Sequence, residues 1–213
     1  MNVFIFLSGN PSSGDFYKDH FEAFRHRQDT VVCADGGYRV ARQSGIKPDL
    51  VIGDLDSLED ERIEEDIEVR RYSTDKDFSD FELALRVAEE MKPERVYVYG
   101  ALGGRIDHEL TNVLLLSSSK YSAVFIEKDV EIYRVIEHLL LKGRKGYFCS
   151  LLPLSGPCHV LDMQGFRYTL HDEVLQPSSR GLSNIITADR ATISVRSGSL
   201  IAVVSLPDTL SQY

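Results

Sequence analysis

The sequence predicts an α/β protein of two domains, an N-terminal parallel sheet covered by helices and a C-terminal antiparallel β-sandwich. Three observations lead to this prediction. The 213 residues are enough for two compact domains. Short apolar runs alternate with helical patterns up to about residue 125. After that point short β-type runs follow one another, separated by Gly, Pro and Ser turns. We therefore expect one domain over residues 1–125 and another over residues 126–213.

The first-half strands are apolar throughout, which is typical of a parallel, Rossmann-like sheet covered on both faces. The predicted strands are "NVFIFLSG", "TVVCADGG", "PDLVIGD" and "RVYVYGAL". The predicted helices are "DFYKDHFEAFRHR", "YRVARQSGI", "SDFELALRVAEEM" and "DHELTNVLLLSS". Ser79 and Glu82 open the third helix with a capping-box pattern. The acidic run "EDERIEEDIE" has no Gly or strand end around it, so we interpret it as a solvated surface.

The second-half runs alternate or stay apolar over short lengths between turn residues, which favours an antiparallel sandwich or barrel. These runs are "AVFIEKDVEIYRVI", "HLLLKG", "GYFCSLLPL", "CHVLDMQG", "ATISVRSG" and "SLIAVVSL".

Composition excludes several classes of function. With 43% hydrophobic and 27% charged residues, the chain reads as a globular protein. The formal net charge of −9 provides no electrostatic footprint for nucleic acid or an anionic membrane, and no apolar run approaches membrane-spanning length. The three cysteines have no CxxC spacing, so we expect reduced thiols and a cytoplasmic protein.

Polar residues gather where the predicted parallel strands end, in "SGN", "ADGG", "GDLDS" and "GALGGRIDH". Ligands of doubly wound sheets bind beyond the carboxyl ends of the strands. Glycine lets the backbone approach a ligand and present its N–H groups to phosphate. One Gly-rich turn is weak support, but four at corresponding strand ends predict a phosphate-binding edge.

Acidic residues concentrate at the same edge. Asp54 and Asp56 follow a strand, and in an extended segment both would point the same way. Asp35 ends another strand, while Asp77 and Asp80 lie three apart at a helix start. Carboxylates without a zinc-type His/Cys set suit Mg²⁺, which commonly bridges to substrate phosphates. The alternatives are a solvated turn for the DxD pair and helix N-terminal compensation for Asp77 and Asp80.

Basic residues are few at this edge. Lys76 lies within the acidic segment, and Arg105 lies in "GGRIDH", where it is placed to hold phosphate oxygens or to pair with Asp107. His108 is a candidate base, with helix capping as the alternative interpretation.

The ordered set "ADGG", "PDLVIGDLDS", "STDKDFSDFELAL", "GALGGRIDH" and "GLSN" resembles the thiamine pyrophosphokinase family, from about residue 4 to the C-terminus. The resemblance implies an α/β nucleotide-binding domain, a C-terminal β-sandwich and a homodimer with the thiamine site at the subunit interface. It implies transfer of the diphosphoryl group of ATP to the hydroxyl of thiamine, with Mg²⁺. Thiamine itself is implied by the resemblance alone.

The resemblance also implies roles for individual residues. Mg²⁺ ligands are implied at Asp54, Asp56 and Asp80, and thiamine contacts at Tyr168, Ser183 and Asn184. The implied catalytic set is Asp54, Asp56, Lys76, Asp77, Asp80 and Arg105. The implied nucleotide contacts are Asp35, Gly36, Ser57, Thr74, Gly103, Gly104, Arg105, Asp107 and His108.

The chain departs from the family pattern at two positions. Family members often place Trp before "GLSN", where this chain has Tyr168 and contains no Trp at all. Ser79 stands where Thr is usual, and its hydroxyl is retained. Three other functions stay open on the residues: a metal-dependent nucleotide pyrophosphohydrolase, a non-catalytic nucleotide sensor, and a pyrophosphokinase for another alcohol.

Overall fold

The computed structural model describes residues 1–58, 61–73 and 77–206, which divide into two compact units. The first unit contains the described part of Met1–Leu115 together with Ala123–Lys128. The second contains Leu116–Ser122 and the described residues from Asp129 onward. The two units thus interleave along the chain around residues 116–128. The domain limits 1–125 and 126–213 stay a prediction.

The sheet of the first unit has the strand order β6-β5-β1-β2-β3-β4. The pairs β1–β2, β1–β5, β2–β3 and β3–β4 are parallel. Their carboxyl ends therefore lie at one edge of the sheet. The strands are β1 (Asn2–Phe6), β2 (Thr30–Ala34), β3 (Leu50–Gly53), β4 (Glu68–Arg71), β5 (Arg95–Tyr99) and β6 (Ser122–Ile126).

Helices follow the parallel strands. The helices are α1 (Gly14–Phe24), α2 (Gly37–Gln43), α3 (Asp80–Glu90) and α4 (Ile106–Ser118). Of these, α1, α2 and α3 bury apolar residues against the sheet, whereas α4 leaves much of its apolar side exposed. Every residue of β1 is buried, as expected for a central strand covered on both faces. Phe21 of α1 meets Phe4 of β1 edge to face, with ring centroids 4.8 Å apart. At the start of α2, a Cβ on Gly37 would lie 1.9 Å from the Phe6 carbonyl oxygen, so a glycine is required there.

The second unit has two antiparallel sheets, with strand orders β12-β9-β14-β7 and β11-β10-β13-β8. Alternate residues of both sheets contribute to one apolar core, as in a β-sandwich. The strands are β7 (Val130–Val135), β8 (His138–Lys142), β9 (Phe148–Leu152), β10 (Cys158–Gln164), β11 (His171–Leu175), β12 (Asn184–Ile185), β13 (Arg190–Ser197) and β14 (Leu200–Ser205).

The predicted fold class is confirmed, and the structure differs from the prediction in local features, one of which is β4, a strand at the end of the acidic run where none was predicted. The run "AVFIEKDVEIYRVI" is two strands, and its first strand, β6, belongs to the first unit. The acidic run forms ion pairs as well as facing water, since Glu61 pairs with Arg39, and Glu64 with Arg42 and Lys47. Among the described residues, no helix combines the length and apolarity needed to cross a membrane.

Candidate active site

A cavity of about 440 Å³ opens at the carboxyl edge of the parallel sheet. Its position agrees with the rule for ligand sites in α/β sheets. Three strand ends, the start of α3 and the first turns of α4 line it. The lining residues are Leu7, Ser8, Gly9, Ala34, Asp35, Ser79, Asp80, Phe81, Gly100, Ala101, Leu102, Gly104, Arg105, His108, Glu109 and Asn112. Of the predicted site residues, Asp35, Asp80, Gly104, Arg105 and His108 line this cavity.

Three carboxylates come together beside the cavity. Asp35, Asp54 and Asp56 each offer an oxygen within 4.8 Å of the others, with Asp35 and Asp54 half-buried and Asp56 exposed. Two charges at this separation repel by about 3 kcal/mol at an effective dielectric of about 20, and by less where water screens Asp56. A cation bound between them would remove this repulsion.

The backbone around the three carboxylates is unusual. β3 ends at Gly53, and a 3₁₀ turn begins at Asp56. Between them Leu55 has φ 64°, so the extended geometry expected for the DxD pair is wrong. Asp35 also has a positive φ, 44°. Non-glycine residues in this region are uncommon and cluster at functional sites, because the surrounding structure must hold them there.

Asp35 has a further property that fits a bound cation. Its Oδ1 atom is buried and has no hydrogen-bond partner among the residues that the structure describes. A buried carboxylate oxygen left unpaired costs free energy, so such an atom is expected to have a ligand. Asp80 borders the same cluster, because a Cβ placed on Gly53 would lie 3.1 Å from Asp35 Cβ and 3.3 Å from Asp80 Oδ1. The donor set is oxygen only, which fits Mg²⁺ better than zinc.

The start of α3 brings Asp80 to the cavity. Ser79 caps this helix, its Oγ accepting from the Glu82 N–H at 3.2 Å, so the predicted cap is confirmed. Asp77 precedes the cap and is exposed. Thr74 and Lys76, both predicted nucleotide contacts or catalytic groups, lie outside the described residues.

The loop from β5 to α4 supplies the basic side of the cavity. Arg105 donates to both oxygens of Asp107, at 3.2 Å from Nε and 2.6 Å from Nη2. Hydrogen bonding from Arg105 is the main reason that the pKa of the exposed Asp107 carboxyl lies below its usual value. The His108 N–H also donates to Asp107, at 3.1 Å. Asp107 therefore organises this turn. Arg105 is paired with Asp107, which is the alternative to phosphate binding that the sequence left open.

The predicted nucleotide glycines differ in their surroundings. The Gly104 N–H donates to Glu109 Oε1 at 2.8 Å, so this donor already has an acceptor. Gly103 has φ 74°, and a Cβ there would lie 2.5 Å from Asn10 Cβ. A Cβ on Gly36 would lie 3.1 Å from Ser57 Oγ and would also touch Ser8, which places Ser57 near the end of β1.

In the second unit, Tyr168 and Asn184 form one local arrangement. The Asn184 amide accepts from the Tyr168 N–H at 3.0 Å and donates to the Tyr168 carbonyl at 2.6 Å. Asn184 is buried, whereas the side chain of Tyr168 is 67% exposed. Ser183 has φ 57° and donates its N–H to Ser150. The amide of Asn184 is thus engaged in holding the backbone of Tyr168.

Sequence reasoning missed two cavity residues, Glu109 and Asn112. The Asn112 amide donates to the Ala101 carbonyl at 2.9 Å and so fixes the loop after β5. The available signal was helical spacing, because Asn112 lies four residues after His108 and therefore on the same helix face.

An α/β unit with a ligand-sized cavity at the carboxyl edge, joined in sequence to a β-sandwich, defines the chain as a small-ligand-binding two-unit protein. Family models narrow this class. Residues 21–126 match the model described as thiamin pyrophosphokinase, catalytic domain, and residues 137–200 match thiamin pyrophosphokinase, vitamin B1 binding domain. This chain belongs to the thiamine pyrophosphokinase family.

Individual relatives agree with the family models. The chain is 30% identical over 181 residues to thiamine pyrophosphokinase from Bacillus subtilis (strain 168), covering 80% of this chain and 85% of that protein. It is 29% identical over 180 residues to thiamine pyrophosphokinase 1 from Oryza sativa subsp. japonica, covering 75% and 67% respectively. The crystal structure of thiamine pyrophosphokinase from Bacillus subtilis superposes with a TM-score of 0.79 at 24% identity, over 97% of this chain and 100% of that one. That structural likeness supports the fold.

Proposed function

We propose that this chain transfers the diphosphoryl group of ATP to the hydroxyl of thiamine, giving thiamine diphosphate and AMP. The observation that carries the proposal is the cluster of Asp35, Asp54 and Asp56 beside the cavity of a chain in this family. Carboxylates this close together repel one another, and binding of a magnesium–polyphosphate complex accounts for their proximity.

Asp35, Asp54 and Asp56, with Asp80 at their border, are the residues proposed to hold Mg²⁺. Mg²⁺ bound with ATP neutralises phosphate charge and so makes the diphosphoryl group a better electrophile. The buried Oδ1 of Asp35, which no described residue contacts by a hydrogen bond, supports this assignment, since a bound cation gives that atom a partner.

The predicted basic and acidic residues have two proposed tasks, phosphate binding and proton acceptance. Arg105 exchanges part of its pairing with Asp107 for phosphate oxygens, an exchange that its exposed position permits. Lys76 assists at the same phosphates. The thiamine oxygen attacks the β-phosphorus as the bond from that phosphorus to the α–β bridging oxygen breaks, and that oxygen leaves with AMP. Asp77 or Asp35 accepts the hydroxyl proton, although a loose transition state asks little of a base.

Thiamine binding is proposed for the second unit at Tyr168, Ser183 and Asn184. The exposed ring of Tyr168 offers a face for the cationic thiazolium or the aminopyrimidine ring. The bonds from Asn184 to the Tyr168 backbone support a positioning task for Asn184.

A homodimer, with thiamine bound at the subunit interface, is part of the same proposal. Ile106, Leu110 and Leu114 lie four apart on α4 and are 67%, 60% and 55% exposed. A second copy of this chain is the occupant implied for such an apolar stripe. We expect Leu110→Lys to lower the molar mass measured by sedimentation towards that of the monomer, whereas Thr111→Lys on the adjacent face leaves it unchanged.

A cytoplasmic location completes the proposal. Three cysteines without CxxC spacing support it, because reducing compartments keep such residues as thiols. The net charge of −9 supports small-molecule partners, with neither nucleic acid nor an anionic membrane among them.

The proposed reaction is tested by mass-resolved products from ATP and Mg²⁺, with and without thiamine. Thiamine-dependent AMP together with thiamine diphosphate is the expected result. AMP and diphosphate released at the same rate without thiamine would replace the proposal with a pyrophosphohydrolase. ATP binding without turnover would favour a sensor, and turnover with another alcohol alone would change the acceptor.

A further inference from the structure

Glu127 is a buried acid that the proposed reaction does not use. It follows the last residue of β6 and is 8% exposed. A carboxylate at such a position is expected to have hydrogen-bond donors around it. Its two oxygens contact two different loops, one after β1 and one after β5.

The first oxygen of Glu127 contacts the loop after β1. Its Oε2 accepts from the Ser12 hydroxyl at 2.7 Å, from the Ser12 N–H at 3.3 Å and from the Tyr17 hydroxyl at 2.5 Å. Burial and the neighbouring Glu127 raise the pKa of Tyr17, which keeps that hydroxyl protonated as a donor. Ser12 also accepts from the Lys128 N–H at 3.0 Å, which ties the loop to the chain beyond β6.

The second oxygen contacts the end of β5, since Oε1 accepts from the Gly100 N–H at 2.9 Å. Gly100 lines the cavity, and so does Gly9 in the loop after β1. Backbone bonds join these two loops directly, from the Gly9 N–H to the Gly100 carbonyl at 2.9 Å and from the Asn10 N–H to the Leu102 carbonyl at 2.8 Å. Glu127 therefore bridges the two loops that form adjoining walls of the cavity.

We infer that Glu127 is a positioning residue for the nucleotide site, which holds the loops after β1 and β5 in register and so fixes the cavity walls against which the nucleotide lies. This inference rests on the proposed function. Both carboxylate oxygens face backbone N–H groups, of Ser12 and of Gly100, and the Tyr17 hydroxyl that Glu127 accepts from is the second acceptor of both. A glutamine must turn its NH₂ group toward one of these donors, whichever way the amide is oriented.

Glu127→Gln is the first variant, with Glu94→Gln as the matched control. Glu94 pairs with the N-terminal amine and is exposed, away from the cavity residues. We expect Glu127→Gln to raise both the KM for ATP and the dissociation constant of a non-hydrolysable ATP analogue by about tenfold. The KM for thiamine should stay within about twofold of the wild-type value. Glu94→Gln should leave all three constants unchanged.

The contrary result is a lowered unfolding temperature in Glu127→Gln with an unchanged dissociation constant for the analogue, measured well below unfolding. That outcome would reduce Glu127 to a stabilising group. An equal rise in the KM values for ATP and thiamine would also overturn the inference, because it would show a general loosening of the fold.

Ser12→Ala is a second variant that tests the role of Glu127 if Glu127→Gln does not fold. It removes only the hydroxyl between Glu127 and Lys128 and leaves the Ser12 N–H in place. We expect the analogue to bind about threefold more weakly to Ser12→Ala, and wild-type binding by this variant would overturn the inference. Calorimetry measures binding of the ATP analogue without any turnover of thiamine, so it tests the role of Glu127. The proposed reaction is tested separately, by the product assay on the wild-type protein.

Discussion

The carboxyl edge of the parallel sheet and the core of the β-sandwich differ in how well their residues match the backbone and burial preferences of their types. At the edge, Asp35 and Leu55 have positive φ values, and the buried Oδ1 of Asp35 has no partner within the described part of the chain. In the sandwich, apolar residues alternate along the strands, as in β13, where Ala191, Ile193 and Val195 are buried. The edge concentrates like charges and uncommon backbone angles, whereas the core consists of packed apolar side chains.

This difference supports the proposal that the edge, rather than the sandwich core, binds a ligand. Natural sequences generally agree with local structural preferences, and the places where they do not are expected to be functional or strained sites. The alternating apolar residues of the second unit satisfy those preferences and need no ligand to explain them. Exceptions in that unit lie outside its apolar core, at Asp172 and Ser183 with positive φ, and at the buried Nε of Arg134, which has no partner among the described residues. The acidic cluster violates them, and a bound cation with its phosphates removes the conflict.

Asp54→Asn has the largest expected effect. Loss of one of the three clustered carboxylates should lower kcat/KM for thiamine diphosphate formation by about a thousandfold, or about 4 kcal/mol. The free energy of unfolding should not fall, because the substitution also removes repulsion from Asp35 and Asp56. Steady-state kinetics and urea unfolding of the same preparation measure both quantities.

Asp66→Asn is the control for that variant. Asp66 is an exposed carboxylate that pairs with Lys47 and lies outside the cluster. It should retain wild-type kcat/KM. Near-normal activity in Asp54→Asn would contradict the proposed role of the carboxylates at the edge. A loss of unfolding free energy that accompanies the loss of activity would show that Asp54 stabilises the fold, as core residues do.

Ile193→Ala tests the other side of the comparison. The side chain is fully buried in the sandwich core, and its truncation should lower the free energy of unfolding by about 3 kcal/mol. Thr192→Ala on the same strand, where the side chain is only half-buried, should cost less than about 1 kcal/mol. Chemical denaturation of both proteins gives the comparison, and equal losses would show that the alternation along β13 does not define the core.

Tyr168→Ala has the smallest expected effect. Loss of the exposed ring should raise the KM for thiamine by about tenfold, near 1.4 kcal/mol, and leave the KM for ATP unchanged. Tyr168→Phe keeps the aromatic face and should behave like the wild type. If the phenylalanine variant loses as much as the alanine variant, the hydroxyl rather than the ring face of Tyr168 contacts the substrate.

The sequence allowed the fold class and the edge of the first sheet to be predicted because both depend on local patterns. Apolar runs and helical spacing are read over short windows, and parallel strands bring their ends together. β4 escaped prediction because "EVRR" has no apolar alternation and forms an exposed edge strand. Its pairing with β3 supplies a stabilisation that the segment does not signal by itself.

The candidate site was predictable in part. Asp54 and Asp56 were recognisable in the sequence as a DxD pair after a strand. The turn at Leu55, whose positive φ sets their directions, was not predicted. Asp35 was expected among the acidic residues of this edge and as a nucleotide contact, and the structure brings it into the same cluster as Asp54 and Asp56. Glu127 gave no signal, since it meets Ser12 across 115 residues of sequence and only the folded sheet brings the two together.

The most direct test of the account is a titration of Mn²⁺, as a spectroscopic substitute for Mg²⁺, into wild-type protein and Asp54→Asn. The titration is made with a non-hydrolysable ATP analogue present, and free Mn²⁺ is followed by electron paramagnetic resonance. We predict that the wild type binds Mn²⁺ at least about tenfold more tightly than the variant. Equal Mn²⁺ affinity in the two proteins would contradict the claim that Asp35, Asp54 and Asp56 form the cation site.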